Sequence, residues 1–458
     1  MPVKDIYVLG AGPAGVSTAC NLSKKGFKVY LVDVSVGGNY CSSGSIVSNS
    51  FLYQSYLYSI FREKTLSFLT FKDEKEICQF DFKKMKKNVE GLRNKFIKTL
   101  KDDLEASNVE FIEGMGYFEG RDSLKITFKD STSKCVQFYK AVVATGSSEK
   151  KLENIISKRI FYPSNIFSLE DIPKSVTVIG GGFVGCEYAT FFKRLGSKVK
   201  IVEKQSRILS GFDEQVTKKL EDYFRKDGIE IFYGKTVSQI ERIGNKSIVF
   251  LENDCKLESE EVFVCIGRTP NISNSCLQNA GVEMSNGQIL LDDELRTSNK
   301  DIYVAGDAAG TDMFVNWAYN SADVVVSSIS NTPLKRTKAL PKVAYLDPEI
   351  ASVGYTEEEA EKIGFNVASI KYSYENLEKS IIVGSKKGYV KVVYDKDIKR
   401  VLGAHIVGKG AVDLISIFAM IIHSEIKLDS ISSYIFNHTT YSEVLTEIGN
   451  KVKISSQK

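Results

Sequence analysis

Two stretches of this chain carry almost the same alternation of apolar and polar positions. The first, "DIYVLGAGPAGVSTACNLSKKGFKVYLVD", covers residues 5–33, and the second, "SVTVIGGGFVGCEYATFFKRLGSKVKIVE", covers residues 175–203. Each opens on a short continuous apolar run, the signature of a strand buried on both faces. A Gly-x-Gly-x-x-Gly turn, a helical stretch, another glycine and a second apolar run follow, and an acid ends the unit. Further strand-like runs end on small residues: "AVVATGSS" (141–148), "VFVCIGRTPN" (262–271) and "DIYVAGDAAG" (301–310), the last placing Asp307 just before a helical run. Strands alternating with helices in this way predict parallel α/β sheets.

The glycine spacing adds chemistry to that pattern. Strand, turn, helix, strand and acid in this order form the dinucleotide fingerprint. Gly10 and Gly180 permit the tight turn, Gly12 and Gly182 let backbone approach a pyrophosphate, and Gly15 and Gly185 let helix and strand pack closely. The open helix N-terminus then faces phosphate. Asp33 and Glu203, each 23 residues after its first glycine, suit ribose hydroxyls. Two copies imply two different dinucleotides. A carboxylate at Glu203 favours NAD over NADP, because a 2′-phosphate would be repelled.

Composition narrows the class without naming a reaction. At 458 residues about three domains are expected. Hydrophobic content of 43% and charged content of 26% describe an ordinary folded protein. The net charge of +4 against 61 basic and 57 acidic residues gives no case for nucleic acid or an anionic membrane. "KKMKK" (83–87) reads as the wet face of a helix. The longest apolar run, 414–422, is far short of a membrane span. Strand-like sequence from residue 6 leaves no room for a secretory leader. The eight cysteines form neither CxxC nor CxxxxC pairs, which suits reduced thiols in the cytoplasm and excludes a zinc framework.

From residue 4 to about 448 the chain resembles the flavoprotein pyridine nucleotide–disulfide oxidoreductases, the dihydrolipoamide dehydrogenase group in particular. The resemblance implies an α/β architecture with two Rossmann-like dinucleotide-binding domains and a C-terminal α+β dimerisation domain. The FAD domain is expected at 1–148 and 268–332, the NAD domain at 149–267, and the interface domain at 333–458. It further implies that Gly10, Gly12, Ala14, Gly15, Asp33, Gly38, Gly116, Thr145, Gly146 and Asp307 hold FAD. Gly180, Gly182, Phe183, Val184, Gly185, Glu203, Val237 and Gly267 would hold NAD(H), with NADH preferred to NADPH. Glu187 matches the acid beside the flavin where nicotinamide stacks.

"PEIASVGYTEEEA" (348–360) and "VLGAHIVGKGAVDLI" (401–415) resemble the dimerisation domain, and "FNHTTYSEVLTEIG" (436–449) resembles its H-P-T-x-x-E segment. The implied catalytic base is His438, oriented by Glu443 and delivered across a homodimer. Thr439 stands where the family has proline. His405, in a strand pattern, and His423, in a helical one, read as structural.

One segment departs from the family. "GGNYCSSGSIVSN" (37–49) aligns with G-G-T-C-L-N-V-G-C-I-P-S-K, so Tyr40 and Ser45 occupy the cysteine positions and Asn49 the lysine position. No disulfide can form within this motif. Two expectations follow: hydride passes from NAD(H) through flavin to a small-molecule acceptor without dithiol chemistry, or Cys41 works as a lone redox thiol. The aromatics Tyr40, Phe51, Tyr53, Tyr56, Tyr58 and Phe61 could line a flat acceptor pocket such as a quinone site, or form core. Dihydrolipoyl dehydrogenase itself, which would need a distant cysteine such as Cys20 or Cys78, a transhydrogenase-like enzyme and a non-catalytic flavin scaffold are the competing readings.

Overall fold

In the computed structural model the described residues are 4–62, 80–153, 159–252, 255–311, 313–332, 334, 339–385 and 387–456. Cys78 and residue 333, the expected start of the interface domain, lie outside them. The first fingerprint folds as strand β1 (Asp5–Leu9), helix α1 (Pro13–Lys24) and strand β2 (Lys28–Asp33). β1 and β2 pair in parallel, and β3 (Glu110–Glu113) extends the sheet beyond β2. On the other side lie Lys140–Val143 and then Ile302–Val304, both parallel, so the chain returns to this sheet after a long excursion. Ile6, Val8, Leu31 and Val142 are fully buried in it, as continuous apolar runs require.

The second fingerprint repeats the plan. Its parallel sheet runs Glu230–Tyr233, Lys198–Glu203, Ser175–Ile179, Glu261–Val264 and Ile160–Phe161. Each unit also carries a three-stranded antiparallel meander, Met115–Phe118 through Ser133–Gln137 in the first and Val237–Ile243 through Lys256–Ser259 in the second. The duplication visible over 29 residues therefore extends to whole units.

Between the first two strands of the chain and β3 lie three helices: α2 (Gly38–Ser42), α3 (Ser45–Arg62) and α4 (Phe82–Ala106). On α4, Lys83, Lys84 and Lys87 face solvent while Met85 is buried, as the basic run predicts. The C-terminal region is a five-stranded antiparallel sheet ordered Lys342–Ala344, Ile350–Gly354, Val401–Gly408, Gly388–Asp395, Val367–Ser373, with helix Ala411–His423 packed on it. The whole is α/β with two Rossmann-type units and an α+β third. A buried charge cluster locks the third unit to the second: Lys391 Nζ, only 1% exposed, lies 2.8 Å from Asp213 Oδ2 and 2.5 Å from Glu357 Oε2. Such a pair is costly to break, since either partner alone would be an uncompensated buried charge.

Helix capping separates the two fingerprint helices from others. Asp81 caps α4, Asp213 caps Glu214–Lys226 and Thr356 caps Glu357–Ile363 with their own side chains. α1 and Phe183–Arg194 start at Gly12 and Gly182 with no side-chain cap, leaving their first N–H groups open to an anion.

Candidate functional site

The two glycine turns are nearly superimposable in their constraints. Gly10 has φ +109° and Gly180 φ +102°, and a Cβ there would lie 2.2 Å from the Ala144 carbonyl oxygen and 2.3 Å from that of Cys265. A Cβ at Gly15 or Gly185 would collide with the carbonyl of Gly10 or Gly180 at 1.7 and 1.9 Å. These four glycines are demanded by the fold itself. At Gly12 and Gly182 a Cβ meets nothing within 4 Å. Those two instead keep space open in front of a helix N-terminus, which is the room a pyrophosphate needs.

Both acids close the turns in the same manner. Asp33 Oδ2 accepts the Ala11 N–H at 2.6 Å, and Glu203 Oε2 accepts the Gly181 N–H at 2.6 Å. Their other oxygens accept from Val34 and Gln205. Each carboxylate is thus fixed at the end of its strand, with lone pairs left for ribose hydroxyls.

A cavity of about 1430 Å³ joins the two turns. Its wall contains Gly12, Ala14, Asp33, Gly38, Ser45, Thr145, Gly146 and Asp307 from the first unit. Gly180, Gly182, Phe183, Val184, Glu187, Glu203, Val237 and Gly267 line it from the second. Phe183 stacks on Phe314 with ring centroids 4.9 Å apart. Asp307 Oδ2 accepts from Ser147 Oγ at 2.5 Å, and burial raises its carboxyl above the usual range. Ser147 is in turn held by Arg268, through Nε to Oγ at 2.7 Å and Nη2 to its carbonyl at 2.6 Å, and by Asn39 Nδ2. Sequence reasoning missed Asn39, Ser147 and Arg268. The signal available was the pair of small-residue turns at 145–148 and 266–270, which meet as antiparallel strands Ser147–Glu149 and Arg268–Pro270.

Glu187, 5% exposed on the helix Phe183–Arg194, faces this cavity. Burial pushes it up to about 7, against the N–H of Tyr345, whose donation to Oε1 at 3.1 Å favours the charged form. At its other end the same helix is pinned by Arg194, which donates to the carbonyls of Leu52 on α3 and Leu346 at 3.3 and 3.5 Å. The helix that carries Glu187 is thereby tied both to α3 and to the C-terminal unit.

Several expected site residues lie elsewhere. Gly116 is absent from the cavity wall; a Cβ there would lie 2.6 Å from Leu9 Cδ2, so its smallness serves packing against β1. Cys41 is 1% exposed and folded under the Gly37 turn, where a Cβ on Gly37 would lie 2.9 Å from its Sγ. Burial raises its thiol above the usual range. The α2 turn instead presents Tyr40 to the cavity, followed by Ser45 and Asn49 on α3. The thiol that does reach the wall, Cys265, belongs to the second glycine turn and is likewise raised by burial. The seven cysteines among the described residues are all free.

The aromatic run does not gather into one pocket. At 3.6 residues per turn α3 distributes it around the helix. Phe51 is fully buried among Phe82, Phe167 and Phe191, Tyr58 packs on Phe80, and Tyr56 faces Arg194. Only Tyr53 of the α3 aromatics joins Tyr40 at the wall.

His438 Nδ1 lies 2.9 Å from Glu443 Oε1, while Glu443 Oε2 accepts the Thr440 N–H at 3.0 Å. The carboxylate holds the imidazole above its ordinary pKa. The pair is outside the wall of its own chain's cavity, and His438 is exposed. Thr439 sits at φ +54°, a conformation proline cannot take, so the loop follows a different path from one carrying the family's proline. His405 is buried and bonded to Ser352 Oγ and the Tyr355 carbonyl at 3.1 Å each, whereas His423 ends a helix at the surface. Among the described residues no cluster of three metal-ligating side chains occurs, and no helix is long and apolar enough to cross a membrane.

Two uncapped helix N-termini, two strand-end acids that close the glycine turns and one connecting cavity fit an oxidoreductase that works with two dinucleotides. The chain belongs to the pyridine nucleotide-disulphide oxidoreductases: that family's model matches residues 4–328, and its dimerisation domain matches residues 340–448. It is a flavin- and pyridine-nucleotide-dependent enzyme. It is 28% identical over 455 residues to the dihydrolipoyl dehydrogenase of Staphylococcus aureus, covering 98% of this chain and 96% of that protein. It is 27% identical over 450 residues to the soluble pyridine nucleotide transhydrogenase of Marinobacter nauticus, covering 96% of each. Among solved structures, LpdA from Mycobacterium tuberculosis superimposes with a TM-score of 0.91 at 21% identity, over 98% of this chain and all of that one. The HOCl-induced flavoprotein disulfide reductase RclA from Escherichia coli does so with a TM-score of 0.85 at 22% identity, over 98% and 99%.

Proposed function

We propose that this enzyme oxidises NADH through bound FAD and passes the electrons directly to a small-molecule acceptor, with no active-site disulfide. The single observation behind the reading is the wall at α2 and α3: Tyr40 and Ser45 stand at the cavity where the family carries cysteines, and Cys41 is packed away from it. FAD, when bound, supplies the two-electron relay between nicotinamide and acceptor.

The chain's own residues fit both cofactors. Gly12 and the open end of α1 would hold the FAD pyrophosphate, Asp33 its ribose and Asp307 its polyol chain, with Thr145 and Gly146 completing that side of the cavity. Gly182, Phe183, Val184 and Glu203 take NADH, and Val237 and Gly267 close that side. Glu187, which lines the cavity between the two units, would set the local charge where nicotinamide meets flavin. NADH is preferred because Glu203 is a carboxylate, although exposed Lys204 lies next to it.

The match to the dimerisation domain supports a homodimer, in which His438, held by Glu443, serves a second copy's cavity. The seven free cysteines among the described residues suit a reducing, cytoplasmic setting. The competing reading is dihydrolipoyl dehydrogenase, the activity for which the Staphylococcus relative is named. Anaerobic titration of the purified protein with NADH, followed by a panel of acceptors, separates them. Flavin bleaching and reoxidation by non-thiol acceptors are expected. Failure of NADH to bleach the flavin would leave a binding scaffold, and fast turnover of dihydrolipoamide would restore the disulfide route.

A further inference from the structure

We infer that Tyr441 is the positioning residue of the His438–Glu443 pair: its ring, seated on Tyr374 above the 408–410 turn, holds the loop that a proline would otherwise stiffen. This deepens the reading of His438 as a group offered to a second copy's cavity and rests on it.

The loop has to be held from outside. Thr439 at φ +54° lies in the left-handed region, where a β-branched residue is strained. Asn437 and His438 are exposed, so burial fixes neither. Within the loop, Thr440 Oγ1 donates to the Asn437 carbonyl at 2.7 Å and meets Ser442 Oγ at 2.6 Å, and the Thr440 N–H donates to Glu443 Oε2 at 3.0 Å. Those bonds tie the loop to itself. The second nitrogen of His438 lies 3.7 Å from Glu378, whose side chain is exposed, and an ion pair of that kind orders little.

Tyr441 supplies the outward tie. Its half-buried ring lies 5.0 Å from that of Tyr374 and 21° from parallel, and Tyr374 is fully buried. Two glycines make room for the stack. A Cβ on Gly408, at φ +147°, would lie 2.5 Å from Tyr374 Cε2, and one on Gly410, at φ +77°, 2.8 Å from Tyr441 Cδ2. Between them Lys409 Nζ lies 3.3 Å from the hydroxyl of Tyr56 on α3. The turn that seats Tyr441 is thus joined to the helix that carries Ser45 and Asn49. At the loop's other end Phe436 packs on the same apolar core as Tyr441, so residues 437–440 span between two aromatic anchors.

Glu443 does not need this stack. Val444 and Leu445, which follow it, are fully buried and fix the start of the last helix. Without the Tyr441 ring the carboxylate therefore stays and the imidazole moves away from it. A stacked aromatic pair stabilises beyond its buried area, so its loss frees the loop without unfolding the unit.

The test is an NMR titration of the flavin-loaded protein with labelled histidine. The chain has three histidines, and His438→Gln assigns the resonance. Glu443 first and Glu378 less hold His438 above the ordinary imidazole value, whereas burial lowers His405, which serves as the fold control. Tyr441→Ala should bring His438 down towards the ordinary value and leave His405 and flavin content as in the wild type. Tyr441→Leu, which keeps apolar bulk and so protects the fold, should act in the same direction. Tyr441→Phe should retain the raised value, because ring carbons make the contacts. Thr439→Pro should lower it, since proline cannot take φ +54°. An unchanged His438 titration in both Tyr441→Ala and Tyr441→Leu would overturn the role of Tyr441. A wild type whose His438 titrates as it does in Glu443→Gln would overturn the pair itself. Failure of NADH to bleach the flavin would remove the reaction that the loop serves and leave the titration result standing.

Discussion

The main-chain N–H of Tyr345 donates to Glu187 Oε1 at 3.1 Å, joining residues 158 positions apart. Among the described residues it is the one hydrogen bond made by this carboxyl group, which is 5% exposed. Glu187 is therefore poorly compensated when charged, and burial raises it from 4.5 to about 7. Between those values the folded chain holds a proton that the unfolded chain has released, so this group's contribution makes stability fall as pH rises. The full swing is about 3 kcal/mol. Glu187→Gln keeps the shape and the acceptor oxygen without the charge. Its melting temperature relative to wild type should rise between pH 5 and pH 8, by roughly a few degrees. A difference that stays constant with pH would show that the carboxyl is already charged at pH 5.

The glycines of one turn should fail in two distinct ways. Gly12→Ala has open space and an ordinary φ of −76°, so the chain should fold normally and lose flavin affinity only modestly, whereas Gly12→Trp should lose flavin by filling the pyrophosphate's place. Gly10→Ala puts a Cβ 2.2 Å from the Ala144 carbonyl at φ +109° and should cost at least about 2 kcal/mol of stability. The ratio of absorbance at 450 and 280 nm reads the first effect, and soluble yield with thermal unfolding reads the second. Full flavin retention in Gly12→Trp would refute the assignment of this turn.

Glu203→Ala should lower kcat/KM for NADH about 10-fold and narrow the NADH/NADPH ratio by a similar factor. The carboxylate is held by the N–H groups of Gly181 and Gln205 at 2.6 and 2.7 Å, which fixes it at the strand end with lone pairs free for a nucleotide's ribose hydroxyls. A charge-assisted hydrogen bond of this kind contributes about 1.5–3 kcal/mol. Steady-state kinetics with both nucleotides measures it. Equal rates in the wild type would mean that Lys204 offsets the carboxylate.

What could be read from the residues alone divides along sequence separation. Both fingerprints were legible because turn, helix start and closing acid sit within 29 residues and obey local stereochemistry. The His438–Glu443 pair, five residues apart, formed as expected. Tyr345 with Glu187, Arg268 with Ser147 and Lys391 with Asp213 were invisible, since each joins residues more than 120 positions apart. The aromatic run of α3 was misleading for another reason: a cluster in sequence becomes a spiral on a helix, so Phe51 went to the core and Tyr53 to the cavity. Gly116 looked like part of a binding motif, yet its surroundings are the apolar side chains of Leu9 and Val32.

One thiol, Cys41, remains within the altered motif and is buried there. In the disulfide enzymes of the family, two-electron reduction leaves a thiolate against oxidised flavin, visible as a long-wavelength charge-transfer band. Tyr40 and Ser45 cannot hold such a pair, and Cys41 is both 1% exposed and raised by burial, so little thiolate exists near neutrality. Anaerobic NADH should therefore bleach the flavin with the first two electrons and produce no such band, and dihydrolipoamide should support little or no NAD reduction. Cys41→Ser should lose some stability, about 1–3 kcal/mol for a hydroxyl in an apolar site, while turnover per bound flavin changes less than about 2-fold. His438→Ala should slow this enzyme less than it would a dithiol enzyme, because the proton traffic to a thiol pair is missing. A charge-transfer band that disappears in Cys41→Ser would show that the α2 turn opens to bring Cys41 to the flavin, and the lone-thiol mechanism would then replace direct transfer.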